Sequence, residues 1–506
     1  MTGPERRLAA LADAVLLPCF DGTSAPDWVR RRVAGSLGGV CLFARNIADP
    51  ETVQAMTSSL AAERDSVVIA IDEEAGDVTR LDAATGSRFP GAAALGRVDD
   101  PDLTARIAGE VGRLLAAVGV SVNFAPCADV AVDPANPVIG TRSFGTEPGL
   151  VSRHTAAWVA GQQAIGVAAC AKHFPGHGHT SADTHRTAAV LAGDLDTLMA
   201  TAIPPFQAAI AADASAIMVG HLLAPAVDDV PATISRRWIT EILRAALGFD
   251  GTVVTDALEM AALADGYGMA GGAVRALVAG ADLLCLGGDT MAGEELDAVR
   301  DAIVDAVRTG RLPEERLADA AARSARLGVS GVRPAAVTGM PEHVSIAGRA
   351  STRQTFERWD PSLSTEVARR ALQRAGPLPA VHEPILVVRC EARANIAAGA
   401  IPCGLAGLLP GGVAEVVVRP GEDAPADEAL TTAGTVLLIT RDRHRHRWMS
   451  DLVRRVRERR PDAVLVEMGS SGVDPSDAPA VAGYGATRAI AIAVAEALTT
   501  PAEGRQ

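Results

Sequence analysis

The chain has 506 residues, more than the about 250–300 at which a single hydrophobic core stops growing, so we expect two domains. Hydrophobic residues make up 48% and charged residues 21%, as in a globular protein, while the net charge of −14 excludes nucleic acid and anionic membranes as expected partners. The seven cysteines form no CxxC pair, and the N-terminus carries no long apolar signal segment. We therefore expect reduced thiols and a cytoplasmic location.

Short apolar runs alternate with helical stretches rich in Ala and Leu from residue 1 to about residue 330. The runs lack polar alternation, which favours strands that are covered on both faces. Eight such strands, most of them followed by a helix, predict an α/β fold with a TIM-like (β/α)8 barrel. An open doubly wound sheet is the alternative, but no GxGxxG follows an early strand. The predicted strands are Ala14–Pro18, Gly39–Phe43, Val67–Ile71, Ser121–Ala125, Val167–Ala171, Ala216–Gly220, Gly251–Thr255 and Asp282–Leu286.

A change of composition follows the predicted barrel. Residues 330–360 contain Gly, Pro, Ser and Thr and few apolar residues, so we place a linker at 336–360. It separates a catalytic barrel, residues 1–335, from a smaller α/β domain, residues 361–506. In that domain we predict strands at Ile385–Arg389, Ala414–Val418, Val436–Thr440 and Val464–Met468, and helices at Asp451–Arg459 and Thr487–Leu498.

Polar residues follow most of the predicted barrel strands. The active face of such a barrel is the carboxyl end of its strands, where loops of different strands meet. An isolated polar residue at a strand end is ordinary, because such positions are exposed, but a set on one face predicts a site. The set comprises Asp72, Glu73 and Glu74, Asn123 and Asp129, Lys172 and His173, His221, Asp256 and Asp289.

The loop after the fifth strand is dense in reactive side chains. Asp183 and His185 are two residues apart, so they point the same way in an extended loop. An Asp hydrogen-bonded to a His orients the ring and favours the imidazolium, as a general acid requires. The alternative is a zinc set built on the HxH of His177 and His179. Metal-dependent barrels of that kind carry the HxH after the first strand, so we expect neither a metal nor a cofactor.

Asp256 ends the apolar run Gly251–Thr255. Packing gives little reason for a carboxylate there, whereas a nucleophile held rigidly at the barrel mouth fits. The alternative is an Asp that caps the following helix.

Five motifs in this order resemble the bacterial β-N-acetylglucosaminidases of glycoside hydrolase family 3. The resemblance runs from about Leu11 to Arg326 and is weaker in the C-terminal region. Its motifs are Ile71-Asp72-Glu73-Glu74 with Val78 and Arg80, Asn123-Phe124-Ala125-Pro126 with Asp129, Asn136–Gly140 with Arg142-Ser143-Phe144, Lys172–Gly178 with Asp183-Thr184-His185, and Val254–Met260.

The resemblance implies a β-N-acetylhexosaminidase that releases terminal N-acetylglucosamine from small carbohydrates such as cell-wall muropeptides. It implies Asp256 as the nucleophile, with His185 as general acid/base and Asp183 as its orienting partner. The sugar hydroxyls would be bound by Asp72, Arg80, Arg142, Lys172 and His173. A carboxylate nucleophile gives a glycosyl-enzyme intermediate and net retention.

Three positions depart from the family pattern: Ala75 stands where Gly is usual, Asp77 where a basic residue is common, and Ala257 where a second acid is common. Two other functions stay open. One is phosphorolysis with inorganic phosphate as acceptor, because a neutral His185 repels an anion less than a carboxylate would. The other is an inactive sugar-binding barrel. Because both catalytic candidates precede residue 260, we expect residues 1–335 to retain the catalytic constellation.

Overall fold

The computed structural model describes residues 3–180, 189–287, 291–328, 352–357, 359–394, 397–399, 402 and 404–500. The chain divides into two compact units. The first comprises residues 1–74, 101–139 and 145–359, and the second comprises residues 75–100, 140–144 and 360–506. In the described ranges, no helix is long and apolar enough to cross a membrane.

The first unit contains a barrel of parallel strands, which confirms the predicted fold. Its strands are β1 Leu16–Pro18, β2 Gly39–Leu42, β3 Val68–Ile71, β4 Val122–Asn123, β5 Ala168–Phe174, β6 Ala216–Val219, β7 Thr252–Thr255 and β8 Leu284–Leu286. Strands β2 to β7 are neighbours in chain order, and β1 pairs with β8. A bridge between Val254 and Leu283 joins β7 to β8, and the side chain of Leu17 in β1 approaches Gly39 in β2.

One hydrophobic cluster fills the barrel interior and draws on all eight of these strands. Residues two apart contribute together, because alternate side chains of a strand point to one face. Small side chains leave room at the centre for larger ones such as Phe124 and Met218. The strand residues of the cluster are Leu17, Cys41, Val68, Ala70, Val122, Ala168, Cys170, Ala216, Met218, Val254 and Cys285.

Helices cover the outside of the barrel, and local signals start several of them. The carboxylate of Asp49 accepts a hydrogen bond from Thr52 N, and Pro50 is the first helical residue, where its missing N–H costs nothing. Asp194 caps its helix in the same way. The helices of this unit are Gly3–Asp13, Asp27–Gly35, Pro50–Glu63, Pro101–Ala117, Pro148–Gln163, Leu195–Thr201, Pro204–Ala211, the π-helix Arg237–Ala246, Ala261–Ala279, Gly293–Arg308, Glu314–Gly328 and Thr352–Glu357. The last of these lies inside the range expected to be a linker.

The second unit contains a six-stranded sheet. Its strands are β9 Gln373–Ala375, β10 Ile385–Cys390, β11 Val413–Val418, β12 Thr435–Thr440, β13 Val464–Glu467 and β14 Ala480–Ala482. Their order is β9-β14-β13-β12-β10-β11, and they are parallel except for β9. The four predicted strands of this region are confirmed. The three-residue strands β9 and β14 are not predicted by the sequence, because so short a run carries no usable pattern.

Both faces of this sheet are buried. Val387 and Ile439 belong to one hydrophobic cluster, and Val388 and Leu438 belong to the other. Residues 75–100 contribute the helix Ala92–Val98, whose Ala94 is part of the first cluster. The other helices are Pro361–Ala371, Asp427–Thr432, Arg447–Arg457 and Arg488–Thr499. The helices predicted at Asp451–Arg459 and Thr487–Leu498 are thus confirmed, with the first beginning earlier.

The compact units do not follow a single boundary along the chain, since two segments between barrel strands belong to the second unit. The division at residues 336–360 rested on local composition, which cannot reveal where an inserted segment packs. Most of that linker, residues 336–351, lies outside the described residues. The division at 336–360 therefore stays a prediction.

Candidate active site

Lys172 lies in β5 and forms ion pairs with two carboxylates that follow β3. Its Nζ is 2.5 Å from Asp72 Oδ1 and 2.7 Å from Glu74 Oε1. The Lys172 side chain is 2% exposed and that of Glu74 is 5% exposed, whereas Asp72 is 18% exposed. Asp72 is therefore the most accessible member of this group.

Asn123 fixes the backbone on which these carboxylates sit. Its Oδ1 accepts a hydrogen bond from Glu73 N at 2.9 Å, and its Nδ2 donates to Glu73 O at 2.8 Å. The same Nδ2 donates to Gln162 Oε1 at 2.9 Å. Because Asn123 is fully buried, these bonds also satisfy an amide that would be costly to leave unpaired. The chain between Asp72 and Glu74 is thus held rigidly.

Asp129 is a fully buried carboxylate that organises the end of β5. Its Oδ2 lies 2.7 Å from His173 Nδ1 and 3.2 Å from Cys127 Sγ, and its Oδ1 accepts a hydrogen bond from His177 N at 2.5 Å. Burial alone raises the pKa of Asp129, but the His173 charge and hydrogen bond, together with His177, hold that pKa below its ordinary value. Asp129 is therefore an ionised acceptor.

The loop after β4 holds the first part of the loop after β5. The Asn136 amide donates to His177 O at 2.9 Å and to Thr180 O at 2.7 Å, while its oxygen accepts from Val138 N and Ile139 N. A Cβ on Gly178 would lie 1.9 Å from Val130 O, so only Gly permits this close approach. The loop beginning at Pro175 thus has a defined start.

Asp256 follows β7 directly and is half-buried. Its N–H donates to Val219 O at 3.0 Å in the neighbouring strand, and its Oδ1 accepts from Ala257 N at 2.8 Å. Buried His221 donates from Nε2 to Ala257 O at 2.8 Å. The backbone N–H and carbonyl of Ala257 therefore make the contacts with Asp256 and His221. These contacts need no side chain larger than a methyl group at this position.

Asp72, Lys172 and Asp256 lie at the same end of the barrel. Asp72 follows β3, Lys172 lies near the end of β5 and Asp256 follows β7, and these strands are parallel. Burial raises the pKa of the Cys170 thiol in β5; Lys172 lowers it, and Asp72 and Asp256 raise it further. The sequence pattern predicts the active face at this carboxyl end.

Arg80 and Arg142 lie in the second unit. Arg80 Nη1 donates to Ala397 O at 3.1 Å, and Arg142 is 7% exposed. Asp77 in the same unit accepts from Arg441 Nη2 at 2.7 Å, Thr141 Oγ1 at 2.5 Å and Ala486 N at 3.0 Å. The departure at Asp77 therefore has a structural role, with Arg441 compensating the charge.

Three sequence-predicted residues, Asp183, His185 and Asp289, lie outside the described residues. Two others were noted only as strand-end residues, although Glu74 binds Lys172 and Asp129 binds His173. For Glu74, the signal available in the sequence was an acid two residues after Asp72, just past an apolar strand. No local signal pairs Asp129 with a residue 44 positions away.

The histidines of the HxH pair have separate partners in the described part of the chain. His177 Nδ1 lies 3.0 Å from Thr180 Oγ1, and His179 Nε2 lies 3.0 Å from Thr201 Oγ1. Another group with metal-ligand chemistry is Cys127, Asp129 and His173, whose ligand atoms lie within 4.8 Å of one another. Its contacts of 2.7 and 3.2 Å to one Asp129 oxygen are hydrogen-bond distances, so the three residues fit a hydrogen-bonded cluster.

Comparison with known proteins finds a family model described as glycosyl hydrolase family 3 N terminal domain, which matches residues 27–327. A β-hexosaminidase of Nitrosomonas eutropha is 36% identical over 304 residues, which cover 58% of this chain and 86% of that protein. One from Stenotrophomonas maltophilia is 37% identical over 281 residues, covering 54% and 82%. The solved structure of a family 3 β-N-acetylglucosaminidase from Paenibacillus sp. has a TM-score of 0.82 and 30% identity, and covers 97% of this chain and 96% of that one.

Proposed function

This chain belongs to glycosyl hydrolase family 3, and from that premise we propose that it is a retaining β-N-acetylhexosaminidase that releases terminal N-acetylglucosamine. One observation carries the proposal: the Asp72–Lys172–Glu74 ion pairs and Asp256 lie at the same carboxyl end of one parallel barrel. Buried charged groups make strong bidentate hydrogen bonds to vicinal sugar hydroxyls. A carboxylate on a rigid strand beside them can attack the bound sugar.

In the proposed mechanism, the terminal sugar binds through Asp72, Lys172 and His173; sugar-binding roles of Arg80 and Arg142 rest on the family motif alone. Asp256 attacks the anomeric carbon and forms a covalent glycosyl ester. His185, oriented by Asp183, donates its proton to the leaving oxygen. The neutral imidazole then removes a proton from water, which attacks the ester and restores Asp256 with net retention.

The roles of Asp183 and His185 rest on the family motif alone. The support for Asp256 is its place after β7 and the hydrogen bond that Ala257 N donates to its carboxylate. Six described cysteines are free and buried, which supports a reducing compartment and hence the proposed cytoplasmic location. The proposed natural substrates are small N-acetylglucosaminides such as muropeptides.

The test is turnover of a nitrophenyl N-acetyl-β-glucosaminide beside the matching glucoside, with the anomer of the first-formed product followed by NMR. We expect turnover of the first substrate and initial release of the β-anomer. Preference for the glucoside, or initial release of the α-anomer, contradicts the proposal. If the unmodified protein binds the sugar but does not turn it over, the chain is an inactive sugar-binding barrel.

Phosphate is the second acceptor to test, since it requires no further catalytic residue. Products are compared in phosphate and in phosphate-free buffer. A sugar 1-phosphate that appears only with phosphate identifies phosphorolysis. Free N-acetylglucosamine formed at a rate independent of phosphate identifies hydrolysis, which is the result we expect.

A further inference from the structure

We propose that Asp129 is a positioning residue of this site, whose single buried carboxylate fixes the proton on the His173 ring and anchors the start of the loop after β5. The consequence for activity rests on the proposed function. The consequence for the His173 ring does not, because it follows from contacts within the barrel unit.

The two oxygens of Asp129 have different partners. Oδ2 faces the His173 ring at Nδ1, 2.7 Å away, and also lies 3.3 Å from His173 N. Oδ1 accepts from His177 N at 2.5 Å. With no exposed surface, the carboxylate has no water to replace these donors. One side chain thus connects the proposed sugar-binding His173 with the loop that leads to the proposed acid/base pair.

The carboxylate dictates which ring nitrogen carries a proton. An ionised carboxylate only accepts hydrogen bonds, so His173 Nδ1 must be protonated. In the neutral ring, Nε2 then has a lone pair and can accept a hydrogen bond from a sugar hydroxyl. Without Asp129 the ring is free to adopt the other tautomer, in which Nε2 is a donor. The hydrogen-bond complementarity toward the sugar would then be reversed.

Two neighbours provide matched controls. Cys127 Sγ donates to the same Asp129 Oδ2 at 3.2 Å, but a thiol is a weak donor and adds no charge. Asn136 holds the same loop through His177 O and Thr180 O, and its side-chain oxygen accepts from Val138 N and Ile139 N. Cys127→Ala therefore reports on local packing, and Asn136→Ala reports on loop anchoring.

The first experiment measures the tautomer directly in the unmodified protein. Histidine labelled with ¹⁵N in its ring gives distinct nitrogen shifts for the two tautomers, and the His173 signal is the one lost in His173→Gln. We expect protonated Nδ1 and, in the neutral ring, unprotonated Nε2. Asp129→Asn should shift the signal toward the other tautomer, whereas Cys127→Ala and Asn136→Ala should not. A His173 ring in the unmodified protein with its single proton on Nε2, or with protons on both nitrogens at the assay pH, overturns the proposal.

The second experiment is a double-mutant cycle on kcat/KM. We expect Asp129→Asn to lower kcat/KM by roughly 10- to 100-fold, by analogy with loss of a carboxylate that orients a metal-binding His. The double variant Asp129→Asn, His173→Gln should lose much less than the product of the single losses. Asn136→Ala combined with His173→Gln should lose the full product. If the loss of the double variant equals the product of the two single losses, Asp129 only stabilises the fold and the proposal is wrong.

The outcomes separate the two proposals. If Asp129→Asn fails to fold, the tautomer in the unmodified protein still decides the question, because that measurement needs neither a variant at Asp129 nor a substrate. If the unmodified protein does not cleave N-acetylglucosaminides, the proposed function fails while the tautomer measurement still stands.

Discussion

Asp256 and Asp250 lie at opposite ends of β7 and differ in surroundings. Asp256 is half-buried, while the Asp250 side chain is 82% exposed and pairs with Arg323. The strand between them is entirely buried. One strand thus carries a carboxylate at the active face and another at the opposite face, and the second serves as a control for the first.

We predict that Asp256→Asn lowers kcat by at least about a thousandfold, because an amide cannot form the glycosyl ester. The fold should be retained, since the amide oxygen can still accept from Ala257 N. Asp250→Asn should keep nearly full activity. The measurement is turnover of an N-acetylglucosaminide, with circular dichroism as a check on folding. A well-folded Asp256→Asn protein with near-normal turnover would refute the nucleophile assignment.

Charge and backbone contacts account for two of the three positions that depart from the family pattern, Asp77 and Ala257, and nothing in the structure explains Ala75. Ala75 has φ of 58°, in the left-handed region where Gly is least strained. Arg441 compensates the charge of Asp77, and the contacts at Ala257 are made by the Ala257 backbone. None of the three removes a group that the proposed mechanism uses.

At the scale of elements, Asp282 ties helices to the amino-terminal end of the barrel. Its fully buried carboxylate lies 2.5 Å from Arg244 Nη2 and 2.6 Å from Arg316 Nη2, and it accepts from Val253 N at 2.8 Å. These ion pairs therefore contribute to stability and not to the chemistry, because the active site of such a barrel lies at the other end.

We therefore predict that Asp282→Ala destabilises the barrel unit by about 3–5 kcal/mol, because it removes the buried carboxylate that compensates the charges of two partly buried guanidinium groups. Asp319→Ala removes an exposed partner of the same Arg316 and should cost less than about 1 kcal/mol. Urea unfolding measures both, and kcat at low temperature should change little in either. A comparable loss for the two variants would contradict the argument.

Glu467 connects the carboxyl ends of β12 and β13 in the second unit. It accepts from Thr440 Oγ1 at 2.7 Å and from the N–H groups of Asp442 and Gly469, both at 2.8 Å. Burial raises the pKa of Glu467 to about 7, and Asp442 adds to the rise, although the Thr440 and backbone hydrogen bonds oppose it. Folding therefore disfavours the ionised form of Glu467 relative to the protonated form.

The pKa of Glu467 gives a prediction with a defined sign. Between its ordinary value of 4.5 and about 7, the folded state binds more protons than the unfolded state, so stability falls as pH rises through this window. Glu467→Gln removes this loss, on the order of 3 kcal/mol, and should raise the thermal midpoint of the second unit at pH 8 but not at pH 4. Glu415→Gln, at the surface of the same sheet, should leave the pH dependence unchanged. An equal shift of the midpoint at both pH values would contradict the assignment.

At the scale of the whole molecule, the second unit takes two segments from between barrel strands. Asp77, 1% exposed, depends on Arg441 for its charge, and Ala94 packs into a cluster formed mostly by residues beyond 360. Arg80 and Arg142, both proposed to bind sugar, lie in these segments. The expectation that residues 1–335 suffice needs revision for this reason.

We now predict that residues 1–335 alone are poorly soluble or inactive, because Asp77 becomes an uncompensated buried charge and the helix Ala92–Val98 loses its core. Co-expression with residues 336–506 should restore a complex with activity. Size-exclusion chromatography and turnover measure the two effects. A folded, fully active 1–335 fragment would show that these segments do not need the rest of their unit.

The sequence by itself determined the barrel and which polar residues lie at the carboxyl ends of its strands. Runs such as Val68–Ile71 and Thr252–Thr255 are buried along their whole length, so their apolar pattern is local and readable. The sequence also predicts the positions of Asp72, Lys172 and Asp256, because each lies at or just after the end of such a run.

Only the tertiary structure decided which residues meet. Asp77 and Arg441 are 364 positions apart and Lys172 and Asp72 are 100 apart, and no local pattern encodes such a pairing. The same holds for residues 75–100 and 140–144, whose membership in the second unit depends on long-range packing and ion pairs. Periodicity reports what one element buries, whereas the choice of partner depends on the free energy of the whole folded chain.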